Sequence, residues 1–439
     1  MTDSIKRYLE SERCSSLMFL SIICYVMFKD SFQVVGDFFQ TVMIIGGLVA
    51  IAVYRDFFSR NVVFWLLVIG GVIQFASWFM STRTIPELAQ PTPNLKPFSY
   101  LMVFLVVAFW LKGSLKRSIV TLLAFSVGSV FTLFYYSDFF EQFIIGMHGS
   151  RVDFGYRNAQ HGSLIIGAAF IFTLWFIYTI APRKINNKSI VVSISCLFLV
   201  LLGALLMMLQ SRQSWLAVFI SIFLIPLLYA YFRDRVSLRK IIMLYGILFV
   251  IGILIYHVDF VHNRIYAGFS HPGDLHNMLS GNWREVKDIS IGVRLQTWLE
   301  AINWFYSHPI FGTGDGSRSL VITQSTVLPD YIKAEFRHLH NSNFETAVSY
   351  GAMGLVFTYV LMCYPVYKAV RSNAPTLIKG IAISFLIYWL IINNFESFLY
   401  MRSGQWVFNT FMGTVYSFAL YSDFLEYQSR RNKLDEYNI

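Results

Sequence analysis

Long apolar runs broken by short polar connections dominate this chain. Runs of roughly 15 to 20 residues, the length scale of membrane-spanning helices, centre on Ile22, Ile45, Val68, Leu105, Phe125, Phe170, Phe198, Phe219, Phe249, Thr358, Phe385 and Phe411. They lack the alternation of strands, and backbone inside hydrocarbon must be helical or closed into a barrel. The pattern therefore predicts an all-α polytopic membrane protein with about 12 transmembrane helices, the whole of 1–439 forming a single transmembrane domain. The first run has no small-residue cleavage site and reads as an uncleaved helix.

One polar insertion, 257–344, separates the ninth and tenth runs. Its first part, 257–290, reads as irregular, with Pro272, Gly273, Gly281 and Asn282. Four histidines there (His257, His262, His271 and His276) lack ligand spacing, so ordinary loop residues are the better reading than a metal site. Next, Leu295, Trp298, Leu299, Ile302, Phe305 and Tyr306 recur at helical spacing. They predict an amphipathic helix at about 291–306, lying on the membrane surface or on the bundle, with Arg294 off the apolar stripe. His308-Pro309-Ile310-Phe311-Gly312-Thr313-Gly314-Asp315-Gly316 then stops the helix in a tight turn. No Gly-Lys-Ser/Thr follows, which argues against a nucleotide phosphate loop.

The insertion closes on His338-Leu339-His340-Asn341-Ser342-Asn343-Phe344-Glu345. Ser342 and Glu345 have capping-box spacing, predicting a helix from about Ser342. His340 then stands just ahead of a helix N-terminus, whose field favours anions and a neutral imidazole able to accept a proton.

Composition and charge add class and orientation. Apolar residues make up 56% of the chain and charged ones 14%, with mean hydropathy +0.55, against about 25% charge in soluble domains. Of the 35 Lys and Arg, about 21 fall in one set of alternate loops, about 7 in the opposite short loops and about 7 in the insertion. Under the positive-inside rule both termini are cytoplasmic and the insertion is external. The net charge of +10 follows that bias, and no nucleic-acid motif accompanies it. Cys14, Cys24, Cys196 and Cys363 show no metal or disulfide spacing. No fixed-period repeat is present.

The outward polar groups suggest a chemistry. Arg151, Arg212, Arg294 and His340 gather there, with Glu396 and Arg402 from the last external loop. Arg212 stands in a break of a few residues, Gln210-Ser211-Arg212-Gln213-Ser214, on the side where basic residues are scarce. Guanidinium pairs bidentately with phosphate and keeps its charge, so such a set suits a lipid-anchored diphosphate. A neutral histidine beside it can take a proton from an attacking hydroxyl while the arginines stabilise the departing diphosphate. No acidic Asp-x-Asp pair marks a cation site, so no metal and no cofactor is expected. His338 reads as a supporting residue.

His340-Asn341 followed by Gly351 and Gly354 resembles the signature of the O-antigen ligase and polymerase superfamily. Arg294, Trp298, His308-Pro309-Ile310 and Gly312-x-Gly314 are similar to its upstream run. Arg212 before an apolar span, and Arg151 with Gly155 and Asn158, resemble its outer arginine elements. Glu396 and Arg402 resemble an acidic/Arg pair of the ligase branch. Arg157-Asn158 departs from the Pro-Asn element of many relatives. The resemblance implies a metal-independent, inverting glycosyltransferase of GT-C type in a bacterial inner membrane, with its site on the periplasmic face. Its donor would be an undecaprenyl-diphosphate-linked O-antigen and its acceptor, by the ligase reading, the lipid A–core. His340 would be the base, Arg212 and Arg294 would hold the diphosphate with Arg151 helping, and His338, Asn341, Glu396 and Arg402 would support them. A polymerase using a second lipid-linked glycan, or a protein O-glycosylating ligase, fits the same residues. A lipid-glycan transporter fits less well, because the notable charges gather at the outer boundary rather than the midplane.

Overall fold

The computed structural model describes residues 2–181, 187–232, 238–266, 274–286 and 289–437, and every regular element among them is helical. Each of the twelve apolar centres lies in a helix. Among the described residues, seven helices are long and apolar enough to cross a membrane: Gln33–Val53, Val62–Thr84, Leu115–Tyr136, Ala159–Ile180, Lys188–Leu209, Arg212–Phe232 and Ser342–Arg371. Two bent pairs, Ser4–Glu10 with Glu12–Phe28 and Ile241–Tyr256 with Asp259–Tyr266, bring the number to nine if each is one span.

The shortfall from twelve has a physical cause. Lys96–Leu111 and Thr376–Ile392 are apolar but short. The last helix, Arg402–Tyr437, is enclosed by other helices, where it has no need of an apolar surface on every side. Its Asn409, Thr410, Thr414 and Ser417 are buried. Thr410 and Thr414 turn their hydroxyls onto carbonyls one turn back, each at 2.8 Å, which satisfies a buried hydroxyl without a partner helix. By contrast, Ile194, Leu197 and Val200 of Lys188–Leu209 stay exposed, the pattern of a face turned toward lipid.

One end of the bundle gathers four helix starts. Ser163 Oγ of Ala159–Ile180 meets Ser214 Oγ of Arg212–Phe232 at 2.8 Å. His161 Nδ1 meets Ser403 Oγ of Arg402–Tyr437 at 2.6 Å. Ser342, at the start of Ser342–Arg371, donates its N–H to Asn393 O at 2.8 Å.

The insertion is more ordered than its residues suggested. Asp259–Tyr266, Asp274–Leu279 and a short 3-10 turn, Trp283–Glu285, come before the amphipathic helix Ile289–Ser307; His271, Pro272 and Gly273 lie outside the described residues. The amphipathic helix exists where periodicity placed it, but its buried line is rotated. Val293, Thr297 and Ala301 are buried along with Leu295 of the predicted stripe, whereas Tyr306 is 75% exposed. Small side chains let this helix approach Ser342–Arg371 and Ser317–Thr323 closely, and the bulky stripe lies partly to the side. Val293, Ala301, Val321, Ile322, Leu328, Ile332, Leu339 and Val348 form a second small core, separate from that of the bundle.

A backbone clasp joins this cap to the bundle. Ser342–Arg371 is broken at Gly351 (φ 63°, ψ −159°), a conformation essentially confined to glycine. The groups released at the break are taken up by the turn after the amphipathic helix. Thr313 and Gly314 donate to Val348 O and Ser349 O at 3.2 and 2.9 Å, and Ala352 and Met353 donate to Pro309 O and Ile310 O at 2.8 and 3.1 Å. The approach leaves no room for side chains: a Cβ at Gly351 would stand 2.3 Å from Ile310 O, and one at Gly312 2.5 Å from Ser349 C. The two glycine motifs seen separately in the sequence are therefore halves of one contact.

Candidate active site

The helix start that carries the site is capped by Asn341, not Ser342. Asn341 Oδ1 accepts from the N–H of Asn343 and of Phe344, at 2.9 and 3.2 Å, and its Nδ2 donates to Asn394 O at 2.9 Å. Ser342 Oγ turns to Asn393 Oδ1 at 2.6 Å and the Glu396 carbonyl at 3.1 Å. Glu345, buried, reaches past the cap residue to the N–H two residues before it: its Oε1 accepts from Leu339 N at 2.9 Å and Ser397 Oγ at 2.6 Å. The capping-box spacing thus marked the right helix start with the wrong bonds.

These contacts hold His340 in the left-handed region, φ 49°, which costs a non-glycine residue about 1–2 kcal/mol. The residue before it is pinned from both sides, since Leu339 O also accepts from Trp298 Nε1 of the amphipathic helix at 2.8 Å. Strain of this kind persists only where the surroundings over-determine it, and it clusters at functional sites.

His340 Nδ1 lies 3.1 Å from both Oε1 and Oε2 of Glu396, whose side chain is 1% exposed. His338 Nε2 lies 3.3 Å from Oε1 of the same carboxylate, and the two imidazole rings are 3.9 Å apart. A carboxylate only accepts, so Nδ1 of His340 is the donor and its Nε2 carries the free lone pair. That is the orientation a buried acid gives the base of a hydrolytic triad. Burial by itself raises the Glu396 carboxyl. Hydrogen bonds from His338 and His340, the His340 charge and the Ser397 N–H (3.0 Å) together overturn this and hold it well below the usual carboxylate range. For His338, burial lowers the pKa, but the Glu396 hydrogen bond and the charges of Glu345 and Glu396 reverse that, leaving it above the ordinary histidine value.

Gln160 connects this pair to Arg294. With its amide nitrogen turned toward the carboxylate, Gln160 donates to Glu396 Oε2 and its oxygen accepts from Arg294 Nη2 at 3.2 Å; this orientation is assigned from the hydrogen-bonding partners. Asn158, the N-cap of Ala159–Ile180, sets the position by accepting from Gln160 N and His161 N. A second buried ion pair lies alongside. Arg318 meets Asp315 Oδ1 at 2.9 Å and Glu345 Oε2 at 3.6 Å and lies over the Tyr400 ring at 4.5 Å. Sequence reasoning missed Gln160 and Arg318. A lone glutamine after an N-cap carries no spacing signal, and Arg318 follows a turn that reads as a helix stop.

The remaining sequence-derived arginines divide. Arg212 opens its helix and is half-buried. Partial burial lowers the Arg151 pKa, Asp153 opposes this, and the Arg212 charge adds to it. Arg151 Nε also reaches Leu209 O at 3.4 Å. The Ser163–Ser214 contact joins the first turn of Arg212–Phe232 to that of Ala159–Ile180, which carries Gln160, so Arg212 opens its helix at the same end of the bundle as His340 and Arg294. Arg402 goes elsewhere. It donates to Asp37 Oδ1 at 2.9 Å, Lys29 O at 3.1 Å and Gln33 Oε1 at 3.2 Å, while Glu396 is taken by the histidines. The acidic/Arg pair expected from the sequence is thus two separate contacts. A cavity of about 520 Å³ at the opposite end, lined by Arg60, Lys368, Asp423 and Arg430 among others, touches none of these residues.

Fold and site together define a polytopic helical membrane protein whose oriented histidine and guanidinium groups gather at one end of the bundle. The O-antigen ligase family model matches residues 196–359, a similarity that supports membership of the O-antigen ligase and polymerase superfamily. The matched stretch holds Arg212, Arg294, His338, His340 and Asn341; Arg151, Gln160, Glu396 and Arg402 lie outside it. No curated protein matches the chain at a significant level.

Proposed function

We propose that the protein is an O-antigen ligase of GT-C type, working at the periplasmic face of a bacterial inner membrane. It would transfer a polysaccharide from an undecaprenyl-diphosphate donor to a sugar hydroxyl of the lipid A–core. His340 Nε2 takes the proton of the acceptor hydroxyl as its oxygen attacks the anomeric carbon. The bond from that carbon to the diphosphate breaks, the electron pair leaves with the diphosphate, and attack from the opposite side inverts the anomeric centre. Arg294, Arg212 and Arg151 hold the leaving group, and Glu396 fixes the tautomer and stabilises the imidazolium. Because guanidinium charge serves the diphosphate, the reading needs no metal or cofactor.

The observation that carries this reading is the Glu396 carboxylate, which orients His340 and is joined through Gln160 to Arg294. Reconstituted protein, given a lipid-diphosphate oligosaccharide and either lipid A–core or a second lipid-linked glycan, tests it directly. Product on lipid A–core supports the ligase; product only on the second glycan assigns a polymerase; no transfer to either overturns the reading.

A further inference from the structure

His338, His340 and Glu396 offer three ligand atoms, all within 4.8 Å of one another, that could hold a metal ion. The spacing suits coordination. Zn²⁺ bound tetrahedrally at about 2.0–2.1 Å to nitrogen and oxygen needs neighbouring ligands roughly 3.3 Å apart. Glu396 Oε1 stands 3.3 Å from His338 Nε2, and Oε2 3.1 Å from His340 Nδ1. The carboxylate is already steadied from behind by Ser397 N and the Gln160 amide, the kind of outer partner that orients metal ligands. Two imidazoles and one carboxylate suit a borderline transition ion over Mg²⁺ or Ca²⁺.

We propose that these three side chains form an inhibitory site for a divalent transition ion, with Zn²⁺ the preferred occupant. The inhibition follows from the tautomer and rests on the ligase reading above. A neutral imidazole has one N–H and one lone pair. With the metal on Nδ1 of His340, the ring proton must sit on Nε2. The nitrogen that would accept the acceptor hydroxyl's proton then has no lone pair, and Glu396 is committed to the ion. No bond to substrate is made or broken in this blocked state; removal of the ion returns the proton to Nδ1 and frees Nε2.

The test uses the full chain in nanodiscs, purified without a polyhistidine tag and stripped with EDTA. Titration with Co²⁺, followed by its visible ligand-field bands, should show one equivalent bound and displaced by Zn²⁺. His338→Gln and Glu396→Gln should each weaken Co²⁺ binding at least tenfold. Transfer by the stripped wild-type protein should fall more than tenfold at saturating Zn²⁺, recover with EDTA, and be unaffected by Mg²⁺. Wild-type protein that binds no Co²⁺, or binding unmoved by both substitutions, overturns the site. Metal bound at these residues with transfer undiminished overturns the inhibition. Metal bound at these residues with no transfer by the stripped protein supports the site and sinks the ligase reading, which separates the two.

Discussion

His340 and Glu396, 56 positions apart in sequence, share a two-pronged contact in which one ring nitrogen lies 3.1 Å from each carboxylate oxygen. Glu396→Gln keeps the shape and removes the charge that fixes the tautomer and offsets the imidazolium. The expected result is a fall in kcat of about 100- to 10,000-fold with donor KM little changed. Initial rates at saturating donor check this, and a loss below about twofold would mean the contact is not used in transfer.

Arg294→Lys retains a positive charge but loses the planar fork and the donor aimed at Gln160. Loss of a charge-assisted hydrogen bond worth about 1.5–3 kcal/mol should lower kcat/KM for the donor by about 10- to 100-fold. Kinetics with varied donor concentration provide the measurement; unchanged efficiency would show that a point charge suffices.

Arg402→Ala should act on stability instead. Its ion pair with Asp37 is partly exposed, at 30% and 50% for the two side chains, and such pairs contribute about 0.2–1 kcal/mol. A small drop in Tm in detergent, with transfer per folded molecule within about threefold of wild type, is expected. A loss comparable to that of Arg294→Lys would return Arg402 to the donor site.

The acid and histidine contributions have opposite pH dependences. Glu396 is depressed on folding, so its stabilisation is present above the unfolded value of about 4.3 and is lost as pH falls through the lower folded value. His338 is raised, so its contribution is complete below about 6.5 and is lost as pH rises through the raised folded value. The Tm gap between wild type and His338→Gln should therefore narrow from about pH 6 to about pH 9. A gap that widens over that range would reverse the assignment.

Gly351→Ala puts a side chain into a glycine-only conformation and against Ile310 O at 2.3 Å. Backbone strain of about 1–3 kcal/mol adds to the clash, so a sharp loss of folded yield in size-exclusion chromatography is expected. Gly71→Ala is the control: nothing lies within 4 Å of its Cβ, and it should fold as wild type does.

The legible part of this protein was whatever depends on local pattern. Apolar runs located the helices, periodicity located Ile289–Ser307, and a capping pattern located the start at Ser342. The buried face of Ile289–Ser307 was legible only in part: Leu295 of the apolar stripe is buried, but Thr297 and Ala301 are buried for their small size and not for their hydrophobicity. The run at Phe411 located the last helix, but its enclosure by protein, which permits buried polar residues such as Asn409 and Thr414, was not legible. At the site, residue types pointed to His340 and Arg294, but the link through Gln160 and the diversion of Arg402 to Asp37 depend on helix placement. Such pairings across 134 and 365 positions leave no trace in spacing.

The clasp at Gly351 has a mechanical corollary. A bend whose released amides and carbonyls are bonded to another segment cannot straighten alone, because doing so would strand four backbone partners on the turn spanning 309–314. Turn and bend are thus one cooperative joint, and the imidazole at the head of that helix keeps its bearing only while both halves stay engaged.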